Sequence, residues 1–240
     1  MTGRDITISE LFGPTHQGEG PSAGRLTLFV RLGLCNLDCA WCDTPFTWDW
    51  TGKNGKVYDK SKELTRMPVS EVVDWVQRNS VGRVVVSGGE PTVQMSALSQ
   101  LLIELDNIDQ RIEVETNGTR FPEGLPVTLL RTVQWNVSPK LSSSGVDPDK
   151  AFNWDVLKQY ARYDNANLKL VVANQADAEQ ASSVVANTRW PRDRVYLMPE
   201  GIDADTINDN LEGVMSFAMD QGVNVTSRLH VLAYGDRRGV

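Results

Sequence analysis

Cysteine and histidine are scarce in this chain of 240 residues, which holds three of the former and two of the latter. All three cysteines lie between Cys35 and Cys42. An odd number crowded into one short window excludes a disulfide framework and predicts reduced thiols in the cytoplasm. Long apolar runs are missing too: 18 consecutive apolar residues occur nowhere, and Met1-Thr2-Gly3-Arg4-Asp5-Ile6 shows no basic segment leading into an apolar stretch. Neither membrane spanning nor export is therefore expected. Basic residues are in deficit, 24 Lys+Arg against 31 Asp+Glu for a formal charge of −7, which argues against a nucleic-acid partner. Low-complexity tracts and Pro/Gly/Ser-rich linkers are also lacking, so 1–240 reads as one domain. With 40% hydrophobic residues, a domain of this length buries a sizeable core without a metal staple, and any metal ligands are then available for chemistry.

What is present is an alternation of strand-length apolar runs with stretches of helical period, the pattern of an α/β fold. Strands are expected at Leu26–Leu32, Arg83–Val86, Arg111–Glu115, Val133–Val137, Leu168–Val172, Arg194–Met198 and Asn224–Leu232. Most are short and rich in Val, Ile or Leu, as buried parallel strands are. Val69, Val72, Val73 and Val76 follow Pro68 at the spacing i, i+3, i+4, i+7, and Leu98, Leu101, Leu102 and Leu105 repeat it, which predicts two helices. Further helices are read at Asn153–Tyr163, Ala176–Thr188 and Asp205–Gln221. Two segments break the rhythm. Pro45–Arg66, with Trp48, Trp50 and Asn54-Gly55, reads as an inserted hairpin or lid, and Ser142–Lys150 as a long surface loop.

The cysteines carry the chemistry. Cys35, Cys39 and Cys42 follow the first good strand with three and two residues between them, so one tight loop aims three soft ligands at one place. Iron–sulfur, zinc and copper all suit such a set. Zinc needs a fourth ligand, for which the only histidines are His16 and His230. A [4Fe–4S] cluster on three cysteines instead leaves one iron open to a bidentate amino-acid group of a cosubstrate. Three buried, unreactive cysteines are the bland alternative.

The Cys-x₃-Cys-x₂-Cys loop, with Trp41 just before its last cysteine, resembles the signature of the radical S-adenosylmethionine (SAM) superfamily. Around it, Gln17-Gly18-Glu19-Gly20, Phe29-Val30-Arg31, Cys42-Asp43-Thr44, Gly88-Gly89-Glu90-Pro91, Glu115-Thr116-Asn117-Gly118 and Ser138-Pro139-Lys140 resemble, in that order, the 7-carboxy-7-deazaguanine synthase family. The resemblance runs from about Leu11 to His230. It implies a partial (β/α) barrel of about six parallel strands, with the motifs at the C-terminal strand ends where barrel enzymes place their chemistry.

The resemblance also implies roles. Cys35, Cys39 and Cys42 would hold the [4Fe–4S] cluster, and Thr44 a Mg²⁺ ion. SAM would lie against Gly88, Gly89 and Glu90 at its amino end, and against Glu115, Asn117, Ser138, Pro139 and Lys140 at its ribose and carboxylate. The turn Met198-Pro199-Glu200-Gly201 would meet it as well. The substrate wall would comprise His16, Gln17, Gly18, Glu19, Arg31, Ser87 and His230, with Glu19 accepting ring donors and Arg31 clamping a carboxylate. The implied reaction is hydrogen abstraction at C6 of 6-carboxy-5,6,7,8-tetrahydropterin and radical ring contraction, with loss of ammonia, to 7-carboxy-7-deazaguanine, a 7-deazapurine precursor of the queuosine type. A homodimer and a flavodoxin- or ferredoxin-like electron donor are implied with it. The chain departs from the family pattern at Ser87, where threonine is usual, and at Met198-Pro199-Glu200-Gly201, where some members carry a Gln-Pro turn. A glycyl-radical activase would share the cluster loop and Gly-Gly-Glu without needing Gln-Gly-Glu-Gly or Cys-Asp-Thr. A zinc-stabilised binding module would need no SAM pocket.

Overall fold

The structure is a computed structural model that describes residues 4–240. Among the described residues nine strands form one sheet: β1 (Asp5–His16), β2 (Leu26–Leu32), β3 (Thr65–Pro68), β4 (Arg83–Gly88), β5 (Arg111–Thr116), β6 (Gln134–Val137), β7 (Ala166–Val172), β8 (Val195–Pro199) and β9 (Asn224–Val225). Their order is β3-β1-β2-β4-β5-β6-β7-β8-β9. Every pair from β2 to β9 is parallel, whereas β1 runs antiparallel to both β2 and β3. The end strands β3 and β9 do not pair with one another, so the barrel stays open. The expected count of about six parallel strands is met by β2 and β4–β8, and β9 adds two residues.

Nine helices accompany the sheet among the described residues: α1 (Lys60–Glu63), α2 (Val69–Asn79), α3 (Met95–Asp106), α4 (Val127–Thr132), α5 (Pro148–Ala151), α6 (Trp154–Tyr160), α7 (Gln175–Thr188), α8 (Ala204–Gln221) and α9 (Leu229–Tyr234). The crossovers between parallel strands are helical, as such strands require. The periodic valines of α2 and leucines of α3 are all buried in the main core, each worth about 1.5–3 kcal/mol by removal from water. Asn174 caps α7 by accepting from Asp177 N, and Asp203 caps α8 by accepting from Thr206 N.

Several expectations need correction. β1 is a twelve-residue strand that the sequence reading leaves out: Ile6 and Ile8 alternate into the core, but the rest of the strand breaks period two and carries Gly13-Pro14. β3 is missed for its brevity. The last expected strand shrinks to Asn224–Val225, because Thr226 N still reaches Leu197 O at 2.9 Å while Arg228 turns its side chain inward. His230 consequently sits on helix α9 and not on a strand. Pro45–Arg66 is no hairpin either. Asp49, nearly fully buried, gathers the backbone N–H groups of Thr51, Gly52, Lys53 and Asn54 at 2.8–3.2 Å and winds the segment into a compact loop. The Ser142–Lys150 stretch likewise contains a short 3₁₀ turn at Ser142–Ser144 and the start of α5.

The exit of β4 is built on close backbone approach. Gly88 has φ +130°, and a Cβ there would stand 2.1 Å from Leu32 O. At Gly89 it would stand 2.0 Å from Leu34 O. Gly89 N and Glu90 N donate to those same carbonyls at 3.0 and 2.8 Å, so the turn is docked on the backbone that leads into Cys35. Gly89→Ala is expected to lower the melting temperature, by about 1–3 kcal/mol of stability. Gly213→Ala, inside α8 with open space at its Cβ, is expected to raise stability by about 0.5–1 kcal/mol. Thermal unfolding of both variants checks the contrast.

Candidate active site

The strand ends expected to carry chemistry open into one cavity. Its mouth is the cysteine loop. Cys35 Sγ accepts from Leu37 N at 3.4 Å, and Cys42 Sγ accepts from the Trp48 indole at 3.3 Å. Cys39 packs with Leu37, Val146 and Ala151. Both segments read as loops grip this one. Asn54 Nδ2 donates to Cys39 O at 3.1 Å from one side, and Ser144 O accepts Ala40 N at 2.8 Å from the other, where Trp41 Nε1 also donates to Ser143 Oγ at 3.2 Å. Burial pushes the Cys35 thiol up to about 12 and raises Cys39 and Cys42 as well. These thiols stay neutral until a bound cation supplies the charge that favours thiolate.

The donor set discriminates between the metals. Three soft thiols line the cavity, yet among the described residues no three His, Cys, Asp or Glu side chains converge as ligands of one ion. Thiols that share a wall without converging fit a multi-iron cluster, which spreads its ligands over its own faces, and not a mononuclear zinc site. His16 and His230 line the same cavity, yet among the described residues neither joins the thiols in a convergent ligand set. The donors therefore fit a cluster that leaves one iron for an outside ligand.

The floor of the cavity is a buried chain of charges. Lys169 Nζ bridges Glu19 Oε2 at 2.6 Å and Glu115 Oε2 at 2.7 Å. Arg228 donates from Nε to Glu19 Oε1 at 2.9 Å, from Nη1 to Gly201 O at 2.7 Å, and from Nη2 to Asp43. Burial alone would raise the Glu19 pKa, but Lys169, Arg228 and His230 outweigh it and hold the carboxyl well below its ordinary range. Lys169 and Arg228 are raised in turn: burial opposes them and the facing carboxylates prevail. His230 is lowered, chiefly by burial. The absence of a side chain at Gly18 is required here, because a Cβ would meet His230 Nδ1 at 2.0 Å.

Most expected site residues share this cavity. His16, Gln17, Glu19 and Arg31 enter from β1, the turn after it and β2; Thr44, Ser87, Gly88 and Gly89 stand near the cysteines; Glu115, Asn117, Ser138 and Lys140 follow β5 and β6; Met198, Glu200, Gly201 and His230 close the far side. Gly18, Glu90, Pro139 and Pro199 are not on its wall. Glu90, fully buried, instead accepts from Thr92 N at 3.0 Å, Thr116 Oγ1 at 2.8 Å and Asn117 N at 2.6 Å, so it fixes the β4 and β5 exits from beneath. Asn117 is also occupied, donating to Asn36 and accepting from Thr119. Arg31 forms an ion pair with Glu10 at 2.8 Å through Nε, which leaves its terminal Nη groups for a ligand.

Residues 30–131 match the Radical SAM superfamily. The chain is 36% identical to the 7-carboxy-7-deazaguanine synthase of Pyrobaculum aerophilum over 98% of its own length and 97% of that protein's. It is 32% identical to the Bacillus subtilis enzyme of the same name, covering 99% of each. The chain belongs to the 7-carboxy-7-deazaguanine synthase family. Among solved structures, QueE from Escherichia coli superposes with a TM-score of 0.70 at 24% identity, covering 94% of this chain and 95% of that one. Streptococcus suis SuiB bound to S-adenosylmethionine gives a TM-score of 0.54 at 17% identity, over 83% of this chain and 50% of that one. Both likenesses speak to the fold. The chain is thus a radical SAM enzyme, and the chemistry of its family runs on a [4Fe–4S] cluster and SAM.

Several residues in and beneath the cavity were not expected from the sequence. Lys169 and Arg228 carry the floor, Asp43 anchors it to the cluster loop, and Glu113 and Asn136 lie under Glu115. A signal existed for Lys169, a charge at an inward position of the apolar strand Ala166–Val172. For Arg228, in an irregular segment, the signal was its place two residues before the expected site residue His230. Lys169→Met is expected to leave Glu115 without its cation and Glu19 with Arg228 alone, destabilising the fold by about 3–5 kcal/mol at neutral pH. The deficit should narrow as pH falls into the acid range, because the stability that the wild type draws from the lowered Glu19 pKa is lost as Glu19 takes up its proton. Melting curves across pH read both effects.

Proposed function

We propose that this chain, as one domain spanning 1–240, converts 6-carboxy-5,6,7,8-tetrahydropterin to 7-carboxy-7-deazaguanine with loss of ammonia, in the cavity described above. The observation that carries the reading is the division of one cavity into a mouth of three soft thiols and a floor of buried, paired charges. A radical reaction on a polar heterocycle needs both within reach of each other. The cluster and SAM, when bound, supply the one-electron chemistry that removes a hydrogen atom from C6.

The chain's own residues do the rest. Cys35, Cys39 and Cys42 bind the cluster as thiolates, and the indole N–H of Trp48 on Cys42 Sγ steadies the developing negative charge. Gly88 and Gly89 offer backbone to the amino end of SAM, and Ser138 and Lys140 face its ribose and carboxylate. The Lys140 ammonium, 5.7 Å from the centre of the Trp41 ring, is the cation suited to that carboxylate. Glu19 stays ionised between its two cations and so accepts ring N–H donors of the pterin with its remaining lone pairs. The Nη groups of Arg31 take the substrate carboxylate. Thr44, whose Oγ1 lies 3.8 Å from Cys42 Sγ, provides a neutral oxygen for Mg²⁺ alongside substrate oxygens and water. Holding C6 in position within this cavity is the protein's main contribution to rate.

A flavodoxin- or ferredoxin-like protein is the proposed electron donor, the homodimer the proposed assembly and the cytoplasm the proposed compartment. Among the described residues no helix is long and apolar enough to cross a membrane.

Anaerobic reconstitution, reduction with dithionite and addition of SAM, Mg²⁺ and the carboxytetrahydropterin should yield 7-carboxy-7-deazaguanine by mass spectrometry. SAM cleavage without that product would keep the radical chemistry and overturn the substrate. Cys39→Ala is expected to abolish the iron–sulfur absorbance. Thr44→Val is expected to raise the Mg²⁺ concentration needed for half-maximal rate while SAM cleavage persists; an unchanged metal response would remove Thr44 from the metal site.

A further inference from the structure

Glu113 lies two residues before Glu115 on β5 and shares its face. It is fully buried beneath the cavity and takes no part in the roles assigned so far. Two amides join the pair. Gln17 Nε2 donates to Glu113 Oε1 at 2.5 Å and to Glu115 Oε1 at 3.3 Å, and Asn136 Nδ2 donates to the same two oxygens at 2.6 and 3.0 Å. A carboxylate can only accept, whereas an amide has one donating and one accepting end. Two carboxylates on the same side therefore permit only the NH₂ group of Gln17 to face them.

We propose that Glu113 is a positioning residue for substrate recognition: together with Glu115 it turns the Gln17 amide so that its carbonyl oxygen, and not its NH₂ group, meets the ligand. Gln17 lines the cavity, and its Oε1 receives only the Glu19 backbone N–H, at 3.3 Å. One lone pair remains for a ring N–H or exocyclic amino group. The site then selects a heterocycle that donates at this edge and rejects one that accepts there, because the mismatch would leave two buried acceptors facing each other. This specificity rests on the pterin reading above.

The groups around Glu113 explain why it, and not Glu115, decides the orientation. Lys169 of β7 neutralises Glu115 directly. Glu113 has only Arg83 of β4, whose Nη1 stands 3.4 Å from Oε2 and 3.2 Å from Ser22 Oγ, together with the neutral Gln17, Ser22 and Asn136. Burial, and after it the charge of Glu115, push the Glu113 carboxyl up to about 7. Above that pH it is an obligate acceptor. Below it, a carboxyl O–H can donate to Gln17 Oε1, and the amide is no longer forced.

The test compares reconstituted wild-type enzyme with Glu113→Gln, a substitution of equal shape that both donates and accepts. The Michaelis constant for the carboxytetrahydropterin is expected to rise about tenfold, the scale of one misdirected hydrogen bond, with kcat nearly unchanged. In wild-type enzyme the constant should also rise on acidification between about pH 8 and pH 6. The variant should lose that slope, and because His230 and the substrate titrate equally in both proteins, the difference belongs to Glu113. A folded variant that keeps the wild-type constant and slope overturns the proposal, as does a fall in kcat alone. Should Glu113→Gln not fold, Glu113→Asp decides: its shortened carboxylate no longer reaches Gln17, so the constant should rise and the slope should be lost, and an unchanged constant overturns the proposal. Wild-type enzyme that makes no product overturns the pterin reading and this inference with it. Turnover with an unchanged constant in the variants overturns this inference alone.

Discussion

A single buried carboxylate holds the site together. Glu19 stands between Lys169 and Arg228 at 2.6 and 2.9 Å, and each cation reaches onward, Lys169 to Glu115 and Arg228 to Asp43. Inside a barrel such charges are stable only as a set, because removing any one leaves its neighbours desolvated with a partner fewer. The set therefore fixes more than itself. It ties the turn after β1 to β5, β7 and the segment after β9, and through Asp43 it ends beside the last cysteine of the cluster loop. The charged floor and the thiol mouth are thus held in register by one line of ion pairs.

The cysteine loop has little structure of its own. It is shaped by what surrounds it: the loop wound around Asp49 on one side, the turn at Ser142–Ser144 on the other, and the glycine pair at the end of β4 pressed against the backbone leading into Cys35. The three thiols face one cavity because these unrelated segments leave the loop no other course. A cluster ligand set can be this short in sequence only when its rigidity is supplied by the rest of the fold.

The periodic signals of α2 and α3 and the apolar runs of β4 to β8 are local properties, and both the elements and the face they bury were legible in them. The motif glycines were legible as well, although the structure gives Gly89 a different reason: its missing side chain makes room for Leu34 O. What could not be read were pairings between distant segments. β1 breaks alternation after Ile8 because its later residues face the cavity and the edge, not the core. The end of the chain carries apolar residues that suit strand and helix alike, and only the inward turn of Arg228 toward Glu19 and Gly201 decides for helix α9.

The amino-acid sequence by itself determined the α/β class, the spacing of the thiols Cys35, Cys39 and Cys42 and the family to which its motifs point, because residue spacing and side-chain chemistry are written along the chain. Only the tertiary structure decided which carboxylates are paired and which is left to take a proton, that Glu90 lies under the wall and not on it, and that Glu113, Gln17 and Asn136 form one network. Those properties depend on burial and on distances between residues far apart in sequence, and the strength of a charge or the direction of an amide is set by what the fold places beside it.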